Sequence, residues 1–298
     1  MTGSSMELTY KGEVRDYFAG RADHYDDVVL QHYWRLSDEL LWWAISSTVL
    51  PSLPPDARLL DAGGGTARWS ERLLRTLPRA SAVVLDLSQH MLDRAAARAR
   101  QPELRGRLGV EQGDLDRLGD VVACGAFDLV FCLHNVLGFV TDPESVVRQL
   151  AQTLRPDGFL VLVVPNLFHT MYFNLAGGRV EDAAVALETG RGRFTSDMPE
   201  IHLFTPQVLR RYEQSAGLEP VLLGGFPCTV YPGREETRLH GATHWIQDLL
   251  SGTERFASIL EMERSLLMDS QTAARGNNLL LISRRRGRST RPTAEGGA

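Results

Sequence analysis

Three carboxylates stand where apolar runs of the chain end. Asp61 closes Arg58-Leu59-Leu60, Asp86 closes Ala82-Val83-Val84-Leu85, and Asp114 follows Gly109-Val110-Glu111-Gln112-Gly113. After Asp61 come Ala62, Gly63, Gly64 and Gly65, then a helical pattern of Trp69, Leu73, Leu74 and Leu77. Strand, bare turn and helix in that order let a ligand approach the backbone without meeting a Cβ. They also face the ligand with the unpaired N–H groups of a helix start. Open α/β sheets bind nucleotide-like ligands at such turns. A carboxylate at the end of the second strand, where Asp86 falls, can take both hydroxyls of a ribose. The anion at Asp61 disfavours a pyrophosphate and suits a ligand that carries positive charge.

The register Asp61-x-Gly63-x-Gly65-x-Ala67 is not the dinucleotide fingerprint G-x-G-x-x-G. It resembles motif I of class I S-adenosylmethionine (SAM)-dependent methyltransferases, D/E-x-G-x-G-x-G, with Ala67 where the last glycine falls, a departure that a close helix–strand contact would absorb. Three further stretches resemble that family in the same order. They are Gly113-Asp114, the run Phe127-Asp128-Leu129-Val130-Phe131-Cys132-Leu133-His134-Asn135-Val136-Leu137 (similar to F-D-x-V-x-x-x-x-V-L), and Leu154-Arg155-Pro156-Asp157-Gly158 leading into a strand. The resemblance implies SAM as cofactor and S-adenosylhomocysteine as product. It implies a site built from Asp61, Ala62, Gly63, Gly64, Gly65, Asp86, Leu87, Met91, Gly113, Asp114, Leu115, Leu133 and His134. In such a site Met91 packs against the adenine, or is core filler, and Asp114 meets the exocyclic amine. The segment Tyr17-Phe18-x-x-Arg21-Ala22-x-x-Tyr25-Asp26 looks like the N-terminal stretch that folds over the SAM site in many small-molecule methyltransferases. Tyr17, Arg21 and Tyr25 then join the cofactor site; the alternative is that these aromatics fasten a helix to the sheet.

The elements that must position these residues follow from periodicity and breakers. Residues 1–9 are expected to fray, 10–55 to form a helical lid, and 56–165 a Rossmann-like core. Residues 166–204 are too long for a plain connection and read as a cap insertion. Residues 205–283 return to the core, with Thr205 capping a helix that starts at Pro206 and a helical insertion over 235–274. The Arg/Gly/Thr/Ala-rich run 284–298 reads as a disordered tail. The expected fold is α/β: a seven-stranded, mostly parallel sheet with an N-terminal helical lid and helical cap insertions.

Methyl transfer from a sulfonium needs a positioned nucleophile, exclusion of water and, for some acceptors, a base. His134, His202 and His169 are the candidates. In relatives of the ubiquinone-methyltransferase type a His-x-Phe-Thr like that at His202 recurs. Pro227-Cys228 lies in the wrong place for a cytosine-modifying nucleophile, so Cys228 is read as core. There is no H-E-x-x-H and no clustered Asp/Glu/Asn set, which argues against a metal. The cysteines Cys124, Cys132 and Cys228 are too scattered for a disulfide framework.

A net charge of −5 with pI near 5.9 argues against a dedicated nucleic-acid binder. No run reaches the roughly 18 apolar residues of a membrane span, and Met1-Thr2-Gly3-Ser4-Ser5 has no signal pattern. The chain reads as cytoplasmic, a monomer or homodimer. Lys11 is the only lysine among many arginines, which fits GC-rich coding and hints at natural-product, including antibiotic, biosynthesis. The expected acceptor is a small organic molecule methylated on O, N or C. The alternatives are a tRNA-modifying methyltransferase and a SAM-binding catalyst of a non-methylation reaction; Asp61 and Gly113-Asp114 weigh against a nicotinamide oxidoreductase.

Overall fold

The structure, a computed structural model, describes residues 3–231 and 244–287. Strands β1 (Arg58–Ala62), β2 (Ser81–Asp86), β3 (Leu108–Gln112), β4 (Phe127–Cys132) and β5 (Leu154–Pro165) are short apolar runs. β4 and most of β5 are buried residue after residue, as strands covered on both faces must be. Two-residue strands β6 (Arg191–Gly192) and β7 (Ile201–His202) pair apart from the main sheet. β8 (Leu218–Phe226) and β9 (Asn278–Arg285) complete a seven-stranded sheet of order β3-β2-β1-β4-β5-β9-β8. β1 to β5 run parallel, and β9 is antiparallel to both β5 and β8. The expected α/β architecture is present.

The strand order reverses between β1 and β4, which opens a crevice at their carboxyl ends. The register sets Asp61 beside Val84 and Phe131, and Asp86 beside Gln112, so the acid-bearing tips share one edge of the sheet.

Among the described residues ten helices dress this sheet: α1 (Gly3–Ala19), α2 (His32–Thr48), α3 (Arg68–Thr76), α4 (Gln89–Ala99), α5 (Pro143–Thr153), α6 (Leu167–Ala176), α7 (Val180–Thr189), α8 (Pro206–Ser215), α9 (His244–Ser251) and α10 (Thr253–Met268). One face of the sheet packs on α2, α3, α4, α9 and α10, the other on α5 and α8. A third cluster joins Val14 of α1 to Phe173, Ala186, Phe194 and Ile201 of the cap. Thr205 caps α8, its hydroxyl accepting from Val208 N at 3.2 Å.

Two boundaries differ from expectation. Helix begins at Gly3, inside the stretch expected to fray, because Tyr10, Lys11 and Val14 have partners across the molecule. The lid ends sooner than residue 55: α2 buries Tyr33, Leu36, Leu40, Leu41 and Ile45 against the sheet and is core. In the run 284–298 only 284–287 are described; Arg284 and Arg285 belong to β9, and Arg285 donates to the carbonyl of Gln152 at 2.9 Å. Of the insertion 235–274, residues 235–243 lie outside the described part.

The second insertion is fastened by a buried carboxylate. Glu263 of α10 accepts from the amides of Cys228 and Thr229, each at 2.7 Å. Removing it leaves the buried Cys228 amide without a partner and frees the part-buried amide of Thr229. Glu263→Ala is expected to lower stability by about 2–4 kcal/mol in chemical denaturation; an unchanged midpoint would show that this turn does not depend on the carboxylate.

Candidate active site

The glycine turn is shaped by what cannot fit. Gly63 sits at φ +75°, where a Cβ would stand 2.2 Å from Val136 Cγ1; a Cβ on Gly64 would stand 2.3 Å from the Asp61 carboxyl carbon. The amides of Gly63 and Gly64 donate to Leu85 O at 2.7 and 3.3 Å, tying the turn to β2. Ala67 also takes the left-handed region, at φ 67°. Backbone strain, about 1–2 kcal/mol for a residue with a Cβ, is therefore what replacing the motif's last glycine costs. Helix–strand closeness does not explain it.

Asp61 is buried under this turn and accepts from Ser70 Oγ at 2.7 Å. Burial pushes its carboxyl up from 3.8 to about 7, against the pull of that hydroxyl. Asp86 accepts from Ser88 N at 2.8 Å and Gly65 N at 2.9 Å; burial raises it too. Ser88 holds the cap position of α4 but makes no side-chain cap bond, and its buried hydroxyl has no hydrogen-bond partner among the described residues. Asp114 accepts from Lys11 Nζ at 2.8 Å, so the chain's single lysine reaches from α1 to the third acid. Lys11 also pairs with Asp116. Burial alone would raise Asp116, but Lys11 and the Thr141 amide hold it below the ordinary carboxylate range.

These groups line one crevice of about 880 Å³, counting the part open to solvent. Of the expected cofactor residues it gathers Tyr25, Asp61, Gly63, Gly64, Gly65, Asp86, Leu87, Met91, Gly113, Asp114, Leu115, Leu133 and His134. Ala62 does not belong: it is wholly buried in the opposite core. Tyr17 and Arg21 do not line it either. Arg21 lies 3.6 Å over the Tyr17 ring, pairs with Asp197 at 2.6 Å, and faces a second chamber. Lys11, Phe18, Thr66, Arg68, Trp69, Ser88 and Phe139 line the crevice without having been expected there. Lys11 carried one signal, its uniqueness, and Arg68 and Trp69 another, their place in the first turn after the glycines.

The second chamber, about 950 Å³, is bounded by Tyr17, Phe18, Tyr25, Trp34, Phe139 and Phe194 among others. Phe18, Tyr25, Arg68, His134 and Phe139 form the wall it shares with the crevice. Burial raises the Tyr25 hydroxyl to about 12, so it stays a donor at neutral pH.

None of the three histidines is placed as a free base. His134 Nε2 accepts from the Trp69 indole N–H and, at 3.2 Å, from Arg68. That leaves the ring neutral with its proton on Nδ1, and burial together with the Arg68 charge lowers it to about 4. His202 sits on β7 outside both cavities, 2.7 Å from Arg191, and burial and that charge lower it. His169 is buried on α6 between the rings of Tyr172 and Tyr231, also outside both. Cys228 is buried, and its thiol is pushed up to about 12. Among the described residues no three His, Cys, Asp or Glu side chains converge as metal ligands.

The crevice fits an adenosyl amino acid. Bare backbone runs along Gly63 to Gly65, an orphan hydroxyl sits at Ser88, and Asp86 accepts beside it. Met91, Leu87 and Leu115 offer apolar flanks. Sequence comparison agrees. Residues 60–160 match a family described as a methyltransferase domain. The chain is 29% identical over 157 residues to the tRNA 5-carboxymethoxyuridine methyltransferase of Escherichia coli (strain K12), covering 49% of this chain and 55% of that relative. It is 32% identical over 160 residues to the ubiquinone/menaquinone biosynthesis C-methyltransferase of Dinoroseobacter shibae, covering 51% and 58%. Among solved structures, the [4+2]-cyclase SpnF superposes with a TM-score of 0.54 at 19% identity, over 85% of this chain and 81% of that one. Residues 60–160 thus match a methyltransferase domain, and the chain spans little more than half the length of either relative.

Asp61 yields a prediction with a definite sign. Its folded value lies above its ordinary one, so the folded protein keeps a proton that the unfolded chain releases between about pH 4 and 7. Ionising it lowers stability as pH rises through that window, and the loss is constant above. Asp61→Asn keeps an acceptor for Ser70 and removes the charge. It is expected to melt higher than wild type at pH 8, by about 1–3 kcal/mol, to match it near pH 4, and to bind the cationic cofactor at least about tenfold more weakly. Equal melting at pH 8 would show that the carboxylate is not strained by burial.

Proposed function

We propose that the protein transfers the SAM methyl to an O, N or C atom of a small organic acceptor seated in the aromatic chamber. The observation that carries this is the shared wall: the crevice and the chamber meet at Phe18, Tyr25, Arg68, His134 and Phe139. SAM supplies a methyl group already activated on a sulfonium. The chain's own part is to hold, orient and keep dry. Asp86 and Ser88 can take the ribose hydroxyls, the Gly63–Gly65 backbone the amino-acid end, and Met91 the adenine. Phe18, Tyr25 and Phe139 screen the junction from water.

His134, held neutral by Trp69 and Arg68, positions the wall rather than removing a proton. An acceptor that is already ionised near neutral pH, such as an acidic phenol, an enol or a carboxylic acid, requires no base. No carboxylate lines the chamber, and its two guanidinium groups, Arg21 and Arg68, are paired with Asp197 and Asp38 outside it, so the lining favours a neutral or anionic acceptor over a cation. A protonated amine would find no counter-charge there. Oxygen and carbon acceptors are therefore favoured over cationic nitrogen.

An aromatic chamber and arginine-rich coding together support a place in natural-product, including antibiotic, biosynthesis. No described helix is long and apolar enough to cross a membrane, which agrees with a cytoplasmic enzyme. The name of the E. coli relative keeps a tRNA acceptor in view. Against it stands the net charge of −5, where an RNA would need a basic face.

Calorimetry with SAM is the direct test. Asp86→Ala should weaken binding by about 1.5–3 kcal/mol, the worth of charge-assisted hydrogen bonds, with the fold intact by circular dichroism. Unchanged affinity would remove the ribose assignment. S-adenosylhomocysteine formed with small phenols or enols supports the acceptor reading; activity on tRNA that collapses with added salt would replace it.

A further inference from the structure

Two asparagine side chains in the acceptor chamber have no internal explanation. Asn278 opens β9, on the same strand face as Leu280 and Ile282 and beside Pro165 of β5. Only 6% of it is exposed, it lines the chamber, and its amide has no hydrogen-bond partner among the described residues. Asn135 lies at the exit of β4, at φ 69°, and lines the same chamber. Its backbone N–H donates to Val163 O at 3.2 Å, but its side-chain oxygen is buried without a partner.

Buried amides are almost always satisfied within the protein, and one left unpartnered at a cavity wall is costly unless a ligand meets it. Asn166 is satisfied: it caps α6 and donates to Ala274 O and Gly276 O at 2.8 and 2.6 Å. Asn174, Arg264 and Asn277 each keep one buried polar atom without a partner among the described residues, and none of the three lines the chamber. Asn135 and Asn278 do line it.

The geometry points to these two amides as the acceptor-selecting pair, reading a conjugated ring that carries a carbonyl and a hydroxyl. This rests on the chamber being the acceptor site. An amide offers both a donor NH₂ and an acceptor oxygen, so the pair can donate to the carbonyl and accept from the hydroxyl. The surrounding rings of Tyr17, Phe18, Trp34, Phe139 and Phe194 suit a flat partner. With no carboxylate on the lining, the pair selects a neutral or anionic hydroxy-carbonyl compound over an amine. A site built to hydrogen-bond a hydroxyl also rejects the analogue that lacks it.

The test uses the full chain loaded with S-adenosylhomocysteine and three probes: 2-hydroxy-1,4-naphthoquinone, 1-hydroxy-2-acetonaphthone and 1,4-naphthoquinone. Binding is followed by calorimetry. Wild type is expected to bind at least one of the two hydroxy-carbonyl probes about tenfold more tightly than the unhydroxylated quinone. Asn278→Leu, equal in side-chain heavy-atom count but without hydrogen-bonding groups, should abolish that preference and leave S-adenosylhomocysteine affinity unchanged. Asn278→Gln should keep part of the preference, which a filler role would not. No binding of either hydroxy-carbonyl probe to wild type, or the same preference in Asn278→Leu, overturns the proposal. A wild-type protein that fails to bind S-adenosylhomocysteine at all would overturn the methyltransferase reading instead.

Discussion

The site depends on one close approach, the exit of β4 against the glycine turn after β1. Val136 occupies the space that a side chain on Gly63 would need, and the Asp61 carboxylate occupies the space that one on Gly64 would need. Two neighbouring segments therefore use the same missing Cβ atoms. To reach that position the chain after β4 takes two successive left-handed residues, His134 and Asn135. Such conformations persist only where packing over-determines them, and they cluster at functional sites. Here the packing is visible: the Trp69 indole and Arg68 hold the His134 ring, and Val163 O holds the Asn135 amide.

The N-terminal segment is fastened over this floor by charge as well as by the apolar cluster around Val14, Tyr17 and Phe18. Asp26 accepts from Thr66, which stands in the glycine turn, at 2.7 Å and from Arg98 of α4 at 2.5 Å; Arg98 also meets Glu71 of α3. Lys11 ties α1 to the Asp114 turn. Arg68 belongs to the same frame, since its pair with Asp38 of α2 fixes the guanidinium that faces both cavities. The aromatic residues Phe18, Tyr25 and Phe139 then seal what the ion pairs align.

The sequence made the frame legible wherever one residue type answers one geometric demand. Gly63 and Gly64 could be read because nothing else fits the turn, and Asp61, Asp86 and Asp114 because strand ends are easy to find in apolar runs. The order β1 to β5 followed from alternating strands and helices. What stayed hidden depends on long-range partners. The ends of the lid could not be read, because α2 looks as aromatic as α1 yet only its burial against the sheet makes it core. Ala67 could not be read as strained, since φ has no letter. Tyr17 and Arg21 stand close to Phe18 in sequence but line only the other chamber. The histidines were misleading for the same reason: residue type suggests a base, while the partners Trp69, Arg68 and Arg191 decide otherwise.

That last difference bears on how the chemistry is divided. A histidine accepting from an indole N–H and a guanidinium has no lone pair left at Nε2, and one whose proton affinity is lowered to about 4 would be a weak base even if it had. Its burial in the shared wall instead fixes the distance between the two cavities, through Trp69 on one side and the strained backbone on the other. A displacement at a sulfonium carbon is sensitive to that distance and to alignment far more than to an added proton acceptor. The wall is thus rigid where position matters, and the polar side chains of Ser88 on one side and Asn135 and Asn278 on the other line the two cavities it separates.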